Sequence, residues 1–240
     1  MIRAGKSRHR PQVVKQQDDT PTRAASARGP QSREAPSHEP KSRDAPSRGA
    51  QSRVIRIIGG TWRGRRFRFP DVADIRPTPD RVRETLFNWL GGRIVGARCL
   101  DLFAGSGALG LEALSRGAAA AVLVEQSAQI TRFLVELVQQ LSAQGATVEK
   151  EDALRFLARA ATPFDIVFLD PPFASGFLKP AAERLERGGW LAPDARIYVE
   201  SSAREPLPRL PDNWQPLKAK QAGEVGYHLF ARAAGGAEPQ

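Results

Sequence analysis

Asp170-Pro-Pro-Phe173 sets a carboxylate, two residues without a backbone N–H and an aromatic ring side by side. It follows Phe164-Asp-Ile-Val-Phe-Leu169, whose apolar stretch Ile166–Leu169 reads as a strand buried on both faces. The prolines cannot re-enter a ladder or a helix interior, so the chain leaves the sheet stiffly. Asp170 and the Pro171 carbonyl are then acceptors at the carboxyl edge of a strand, where open α/β sheets bind ligands. A planar ring with an exocyclic amino group suits that arrangement: its amino hydrogens meet the two oxygens and its face stacks on Phe173. An Asp capping a proline-rich turn is the plain alternative. The aromatic and an upstream glycine loop favour the site.

That loop is Asp101-Leu-Phe-Ala-Gly-Ser-Gly-Ala-Leu-Gly110. Its Gly105, Gly107 and Gly110 match the spacing of a dinucleotide fingerprint, so an NAD enzyme is one reading. The glycines themselves require only that a ligand approach backbone at a helix N-terminus. Asp101 would repel a pyrophosphate but would suit the ammonium of an amino-acid moiety. Glu125 ends the next strand, where a carboxylate can hold both ribose hydroxyls, and Asp152 after the third could accept from an adenine amino group. Singly, Glu125 and Asp152 would be helix caps or surface carboxylates. Their shared place at strand ends points to S-adenosylmethionine rather than NAD.

The elements that must carry these residues alternate strand and helix, as in a doubly wound parallel sheet. Strands are expected at Cys99–Phe103, Ala121–Val124, Ala146–Glu149, Phe164–Leu169 and Arg196–Val199. Helices are expected at Gly107–Ser115, Ser127–Leu141, Ala153–Ala160 and residues 177–187. A late antiparallel pair near Trp214–Lys220 and Val225–Ala231 finishes the sheet. Upstream, Val54–Ile58 and Trp62–Phe69 read as a hairpin turning at Gly59-Gly60. Its Arg63, Arg65, Arg66 and Arg68 alternate with Trp62, Phe67 and Phe69, a mixture suited to phosphates and unstacked bases. A solvated edge strand would show the same charges. Arg76-Pro-Thr-Pro79 is a rigid connector to a helix over Arg81–Leu90, with Val82, Leu86, Trp89 and Leu90 as its apolar face.

The net charge of +10 is uneven: +7 in residues 1–53, +5 in residues 54–83 and −2 in the rest. A polyanionic partner gripped upstream of a near-neutral body is expected. Residues 1–53 are Arg-, Ser- and Pro-rich, with a repeat at Gln31–Ser37, Lys41–Ser47 and Gln51–Arg53, and are expected to be disordered. They read either as a non-specific RNA tether or as a dispensable tail. Cys99 is the only cysteine, so neither a disulfide framework nor a cysteine-based zinc cluster can form within the chain, and no metal is expected. No apolar run nears the roughly 18 residues of a membrane span, and no signal-peptide core is present. A cytoplasmic monomer is the expectation.

Ile55-Arg-Ile-Ile-Gly-Gly60, Trp62-Arg-Gly-Arg65, Arg76-Pro-Thr78, Asp80–Leu90, Asp101–Leu114 and Asp170–Phe173 together resemble the RsmD family. These are class I S-adenosylmethionine-dependent methyltransferases that modify N2 of one guanine in 16S ribosomal RNA. The resemblance spans about Val54 to Ala231. It implies a Rossmann-like, doubly wound, seven-stranded methyltransferase sheet with a reversed final strand and an N-terminal β-hairpin extension; it does not cover residues 1–53, the expected disordered tail. The corresponding divisions are 1–53 (tail), 54–92 (hairpin and helix, RNA-binding), 93–232 (methyltransferase domain) and 233–240 (frayed end).

By resemblance the Asp80–Leu90 helix lies near the methionine end of S-adenosylmethionine. Asp101, Phe103, Ala104, Gly105, Ser106 and Gly107 hold its amino-acid part, Glu125 with Gln126 its ribose, and Asp152 with Ala153 its adenine. Asp170, Pro171, Pro172 and Phe173 form the catalytic motif. Arg56, Arg63, Arg65, Arg66, Arg68, Arg76, Arg81 and Arg83 are expected to grip 16S ribosomal RNA, within a small subunit or its precursor.

The Asp at 170 bears on the base. An ionised carboxylate only accepts, whereas an amide also donates. Guanine presents N1–H and N2–H as adjacent donors, which suits Asp; adenine presents a donor beside an acceptor, which suits Asn. An adenine-N6 methyltransferase shares every other feature. A protein-glutamine methyltransferase usually carries Asn and has little use for the arginine hairpin. An NAD-dependent oxidoreductase leaves Asp170–Phe173 idle, and a non-catalytic RNA-binding protein leaves the strand-end acids unexplained.

Overall fold

The computed structural model of the chain describes residues 54–69 and 78–233. Residues 1–53, including the expected disordered tail, lie outside the described residues, as do Arg76 and the chain end after Ala233.

A seven-stranded sheet organises the molecule, in the order β5-β4-β3-β6-β7-β9-β8. Its strands are β3 (Arg98–Asp101), β4 (Ala120–Glu125), β5 (Ala146–Lys150), β6 (Phe164–Leu169), β7 (Leu191–Ser202), β8 (Trp214–Ala222) and β9 (Val225–Arg232). β3 to β7 run parallel, and β9 inserts antiparallel between β7 and β8. The reversed strand is therefore present, one place in from the edge. Edge strand β8 carries exposed Pro216, Lys218 and Lys220, which discourage pairing with another chain.

Alternation along the strands feeds two cores. Cys99, Leu123, Ile166, Phe168 and Tyr198 face helices α1 (Asp80–Leu90), α2 (Ala108–Ser115) and α3 (Ala128–Leu141). Leu100, Val124, Val167, Leu169 and Val199 face α4 (Ala153–Phe156) and α5 (Leu178–Arg187). Burial on both faces explains why Ile166–Leu169 of β6 is an unbroken apolar run. Cys99 is fully buried, and burial pushes its thiol up to about 12, so it is an inert core residue.

The N-terminal hairpin is shorter than its residue pattern predicts. β1 (Val54–Arg56) and β2 (Arg66–Arg68) pair over three residues each. Residues 57–65 form an irregular turn fastened to the end of α2. Thr61 N–H donates to the Ser115 carbonyl (2.7 Å), Trp62 N–H to Ser115 Oγ (3.0 Å), and Ser115 Oγ to the Gly59 carbonyl (2.5 Å). Gly60 has φ +74°, and a Cβ there would sit 1.6 Å from the Ser115 carbonyl oxygen. Glycine is thus required by the clasp rather than by a two-residue hairpin turn.

Two further boundaries differ. β7 begins at Leu191, ahead of the predicted Arg196, because a register shift opposite Phe164–Ile166 absorbs Pro193. α4 is one turn long instead of two. Just beyond it Arg159 folds back over the Phe156 ring and pairs with Glu149 and Glu151.

Candidate active site

β4 and β5 lie on one side of β3, β6 and β7 on the other, so the strand order reverses between β3 and β6. The carboxyl ends of these two strands are the place for a ligand, and they carry Asp101 and Asp170.

Asp101 is 2% exposed, and its Oδ2 accepts from the Gly110 N–H at 2.9 Å. Burial pushes its carboxyl up to about 7, with Asp170 and Glu125 adding to the rise against that hydrogen bond. A cation placed beside it would be strongly held. The following loop brings Phe103, Ala104, Gly105 and Ser106 to Gly107, the N-cap of α2, at φ +74°. A Cβ on Gly107 would reach 2.6 Å from Leu134 Cδ2. The loop is tied to β4 by Ala104 N–H to the Val124 carbonyl (2.9 Å) and Gly105 N–H to Glu125 Oε2 (3.0 Å).

Glu125 also receives the Ser127 N–H on Oε1 at 2.7 Å. Each carboxylate oxygen has a second lone pair, so accepting from the backbone leaves capacity for hydroxyls. Gln126 is exposed beside it. Asp152 is half-buried and caps α4 through the Arg155 N–H at 3.0 Å, with Ala153 buried behind it. The helix-cap reading of Asp152 is therefore correct, and its second oxygen carries no part of the cap. Asp101, the glycine loop, Glu125 and Asp152 stand in line along one sheet edge, a donor set that fits the ammonium, ribose and adenine of S-adenosylmethionine.

Across the switch point, Asp170 Oδ2 accepts from Thr78 Oγ1 at 3.3 Å, and burial pushes the Asp170 carboxyl up to about 6. The Pro172 carbonyl is engaged by Ser175 N–H (2.9 Å) and Oγ (2.5 Å). Among the described residues no donor reaches the Pro171 carbonyl. Phe173 is 43% exposed, a free aromatic face. Pro171, Pro172 and Phe173 border a cleft of about 200 Å³, which Glu200 also lines.

Thr78 and Glu200 were not singled out in the sequence. Thr78 reads there only as part of a connector. Glu200 has a visible signal: like Asp101, Glu125 and Asp170, it directly follows an apolar strand run. It is 3% exposed and accepts from the Tyr198 hydroxyl at 2.8 Å. Among the described residues, no three His, Cys, Asp or Glu side chains are grouped to hold a metal ion.

The arginines divide. Arg63, Arg65, Arg66, Arg68 and Arg81 are exposed, and Arg56 is exposed but paired with Asp80 at 2.9 Å. Arg83, expected on the RNA surface, is a correction: it is 1% exposed. Its guanidinium donates to the Thr78 carbonyl (3.2 Å), the Arg56 carbonyl (2.8 Å), Asp80 (2.6 Å) and Glu112 (3.3 Å). The aromatics of the hairpin also face inward. Phe69 is buried edge-on to Phe133, and Trp62 and Phe67 pack against the core. The exposed surface of the hairpin is therefore cationic, without a free stacking ring.

A family model described as "Conserved hypothetical protein 95" matches residues 55–231. The Ribosomal RNA small subunit methyltransferase D of Escherichia coli K12 is 53% identical over 182 residues, 76% of this chain and 92% of that protein. Its namesake in Haemophilus influenzae Rd is 44% identical over 180 residues, 73% and 93% of the two chains. The chain belongs to the RsmD family. A solved structure of yhhF from E. coli, 51% identical, superposes with a TM-score of 0.71 and covers 76% of this chain and 99% of its own. The chain is accordingly an S-adenosylmethionine-dependent methyltransferase, and the NAD reading falls.

Proposed function

We propose that this RsmD-family chain transfers a methyl group to the exocyclic N2 of a guanine in small-subunit ribosomal RNA, in the cytoplasm during subunit maturation. The observation that carries the reading is Asp170: an acceptor-only carboxylate at the switch point, beside a Pro171 carbonyl that no donor among the described residues reaches and an exposed Phe173 ring. The relatives named for ribosomal RNA support the substrate class.

When bound, S-adenosylmethionine supplies a methyl carbon made electrophilic by its sulfonium. Asp101 and the loop through Phe103, Ala104, Gly105, Ser106 and Gly107 hold its amino-acid end, Glu125 and Gln126 its ribose, Asp152 and Ala153 its adenine. The protein needs no covalent nucleophile; its contribution is positioning and electrostatics. Asp170 takes N1–H and N2–H of a flipped-out guanine, the Pro171 carbonyl takes the second amino hydrogen, and Phe173 stacks on the ring. These residues would hold N2 facing the methyl carbon that bound S-adenosylmethionine would supply, and Asp170 would take the proton that N2 gives up on methylation. Arg63, Arg65, Arg66, Arg68 and Arg81 hold RNA phosphates.

The test is incubation with methyl-labelled S-adenosylmethionine and small subunits lacking the modification, followed by nucleoside analysis. Label in N2-methylguanosine, lost in Asp170→Ala, is the expected result. Label in N6-methyladenosine would overturn the base assignment and keep the site.

A further inference from the structure

Glu200 is a buried acid that the reaction as described leaves unused. Leu169 pairs with Val199 in the parallel ladder, so Asp170 and Glu200 stand abreast at the ends of β6 and β7. They project on the face that also carries Phe168 and Tyr198, beneath the segment that enters α1. Thr78 belongs to that segment. It is 7% exposed, and its hydroxyl donates to Asp170 Oδ2 at 3.3 Å.

We propose that Glu200 is a positioning residue: a neutral carboxylic acid that, standing abreast of Asp170, leaves Asp170 as the ionised acceptor of the methylation site. The inference rests on the role assigned to Asp170 above.

Counting donors carries it. Thr78 has one hydroxyl hydrogen and Tyr198 one. The Tyr198 hydrogen goes to Glu200 Oε1 and the Thr78 hydrogen to Asp170. If both acids were ionised, two adjacent buried charges would share these two donors, with no cation hydrogen-bonded to either among the described residues. The other groups facing the pair do not relieve this. Asp101 from β3 is a third acid, and Tyr227 from β9, paired with Glu200 across the ladder, is a buried phenol. The buried guanidinium of Arg83 reaches the Thr78 carbonyl but is otherwise spent on Arg56, Asp80 and Glu112. Uncompensated buried charge is costly, and like carboxyls side by side do not both ionise. With a proton on Glu200, a single negative charge remains at the pair, on Asp170, and the Thr78 hydroxyl donates to it. Burial, reinforced by Asp170, holds the Glu200 carboxyl well above the ordinary carboxylate range, whereas Asp170 lies near 6. Two acids set apart in this way divide the roles of proton holder and acceptor.

The deciding experiment combines a substrate-free titration with a pH–rate profile. In protein carrying 13C at Glu carboxyl carbons, the Glu200 resonance is identified by its absence in Glu200→Gln. It should stay at the protonated shift through pH 8 in the wild type, and titrate at least about one pH unit lower in Asp170→Asn. A Glu200 resonance that titrates between pH 4 and 5, or that ignores Asp170→Asn, overturns the proposal. In single turnover, Glu200→Gln, which keeps a neutral group of the same shape, should retain the rate within about threefold and leave the acid limb in place. Thr78→Val, which removes the donor to Asp170, should raise that limb. A limb that falls by a unit or more in Glu200→Gln would mean that Glu200 is charged in the working enzyme, and would overturn the proposal. The titration uses no RNA, so a failure of the guanine assignment leaves its outcome readable.

Discussion

Arg83 Nη1 lies 3.3 Å from Glu112 Oε2, and their side chains are 1% and 0% exposed. The pair joins helix α1 to helix α2. Glu112 further accepts from Ile58 N–H and Gly59 N–H, both at 2.8 Å, and from Arg116 Nε at 2.6 Å. One carboxylate thus ties the N-terminal turn, α1 and α2 together. Removing one partner of a buried pair leaves the other charge uncompensated, at a cost of about 3–5 kcal/mol. Glu112→Ala should lower the unfolding free energy by that amount in denaturant titration. A loss below about 1 kcal/mol would show that the network is dispensable.

The raised Asp101 carboxyl makes stability depend on pH. The folded state holds this proton up to about 7, whereas the unfolded chain releases it near the ordinary 3.8. The contribution is therefore complete below about pH 4 and is lost as pH rises through 7. At about 1.4 kcal/mol per pH unit the range amounts to some 4 kcal/mol, on the order expected of a buried acid. The ligand-free wild type should lose stability relative to Asp101→Asn across this window. S-adenosylmethionine, whose ammonium needs the charged form, should bind more tightly as pH rises. Parallel stability curves for the two proteins would contradict the assignment.

Asp170 makes a sharper prediction about rate. Asp170→Asn should reduce guanine methylation at least about tenfold, the worth of one charge-assisted hydrogen bond. The wild-type rate should fall as pH drops below about 6, where the carboxyl takes up a proton. Phe173 is exposed, so Phe173→Ala should leave the thermal midpoint unchanged while costing about 1–3 kcal/mol in methyl transfer through lost stacking. Equal losses of stability and activity would place Phe173 in the core instead.

Arg63, Arg65, Arg66 and Arg68 are exposed and should act on RNA through phosphates. Each change to Ala should weaken binding and reduce the salt slope of the binding constant by about 1. Arg83→Met should lower stability without such a slope change, because Arg83 faces inward. Removing residues 1–53 should weaken RNA binding chiefly at low salt and leave cofactor affinity unchanged.

The strands were legible because burial on both faces writes itself as short apolar runs: β6 matches its predicted span of Phe164–Leu169. Asp101, Glu125 and Asp170 were legible for a related reason, since an acid that ends such a run has few structural uses. The burial of Arg83 was not legible. In sequence it is one more arginine in a basic stretch, and only Glu112, 29 positions later, decides that it turns inward. Thr78 was hidden in the same way, its partner Asp170 lying 92 positions away. Pro193 obscured the start of β7, because a proline reads as a strand breaker until the register shift that accommodates it is seen.

Helix α2 is capped by Gly107 of the glycine loop, begins at Ala108 and ends at Ser115, where the arginine-bearing turn is clasped. Its eight residues span about 12 Å at 1.5 Å per residue. With the roles proposed above for its two ends, the helix works as a ruler, one end against the methyl donor and the other against the RNA grip. The reach from held phosphates to the modified nitrogen is a built-in length, and a single residue inserted into α2 would turn the clasp by about 100° and advance it by about 1.5 Å, aiming the enzyme at the wrong atom.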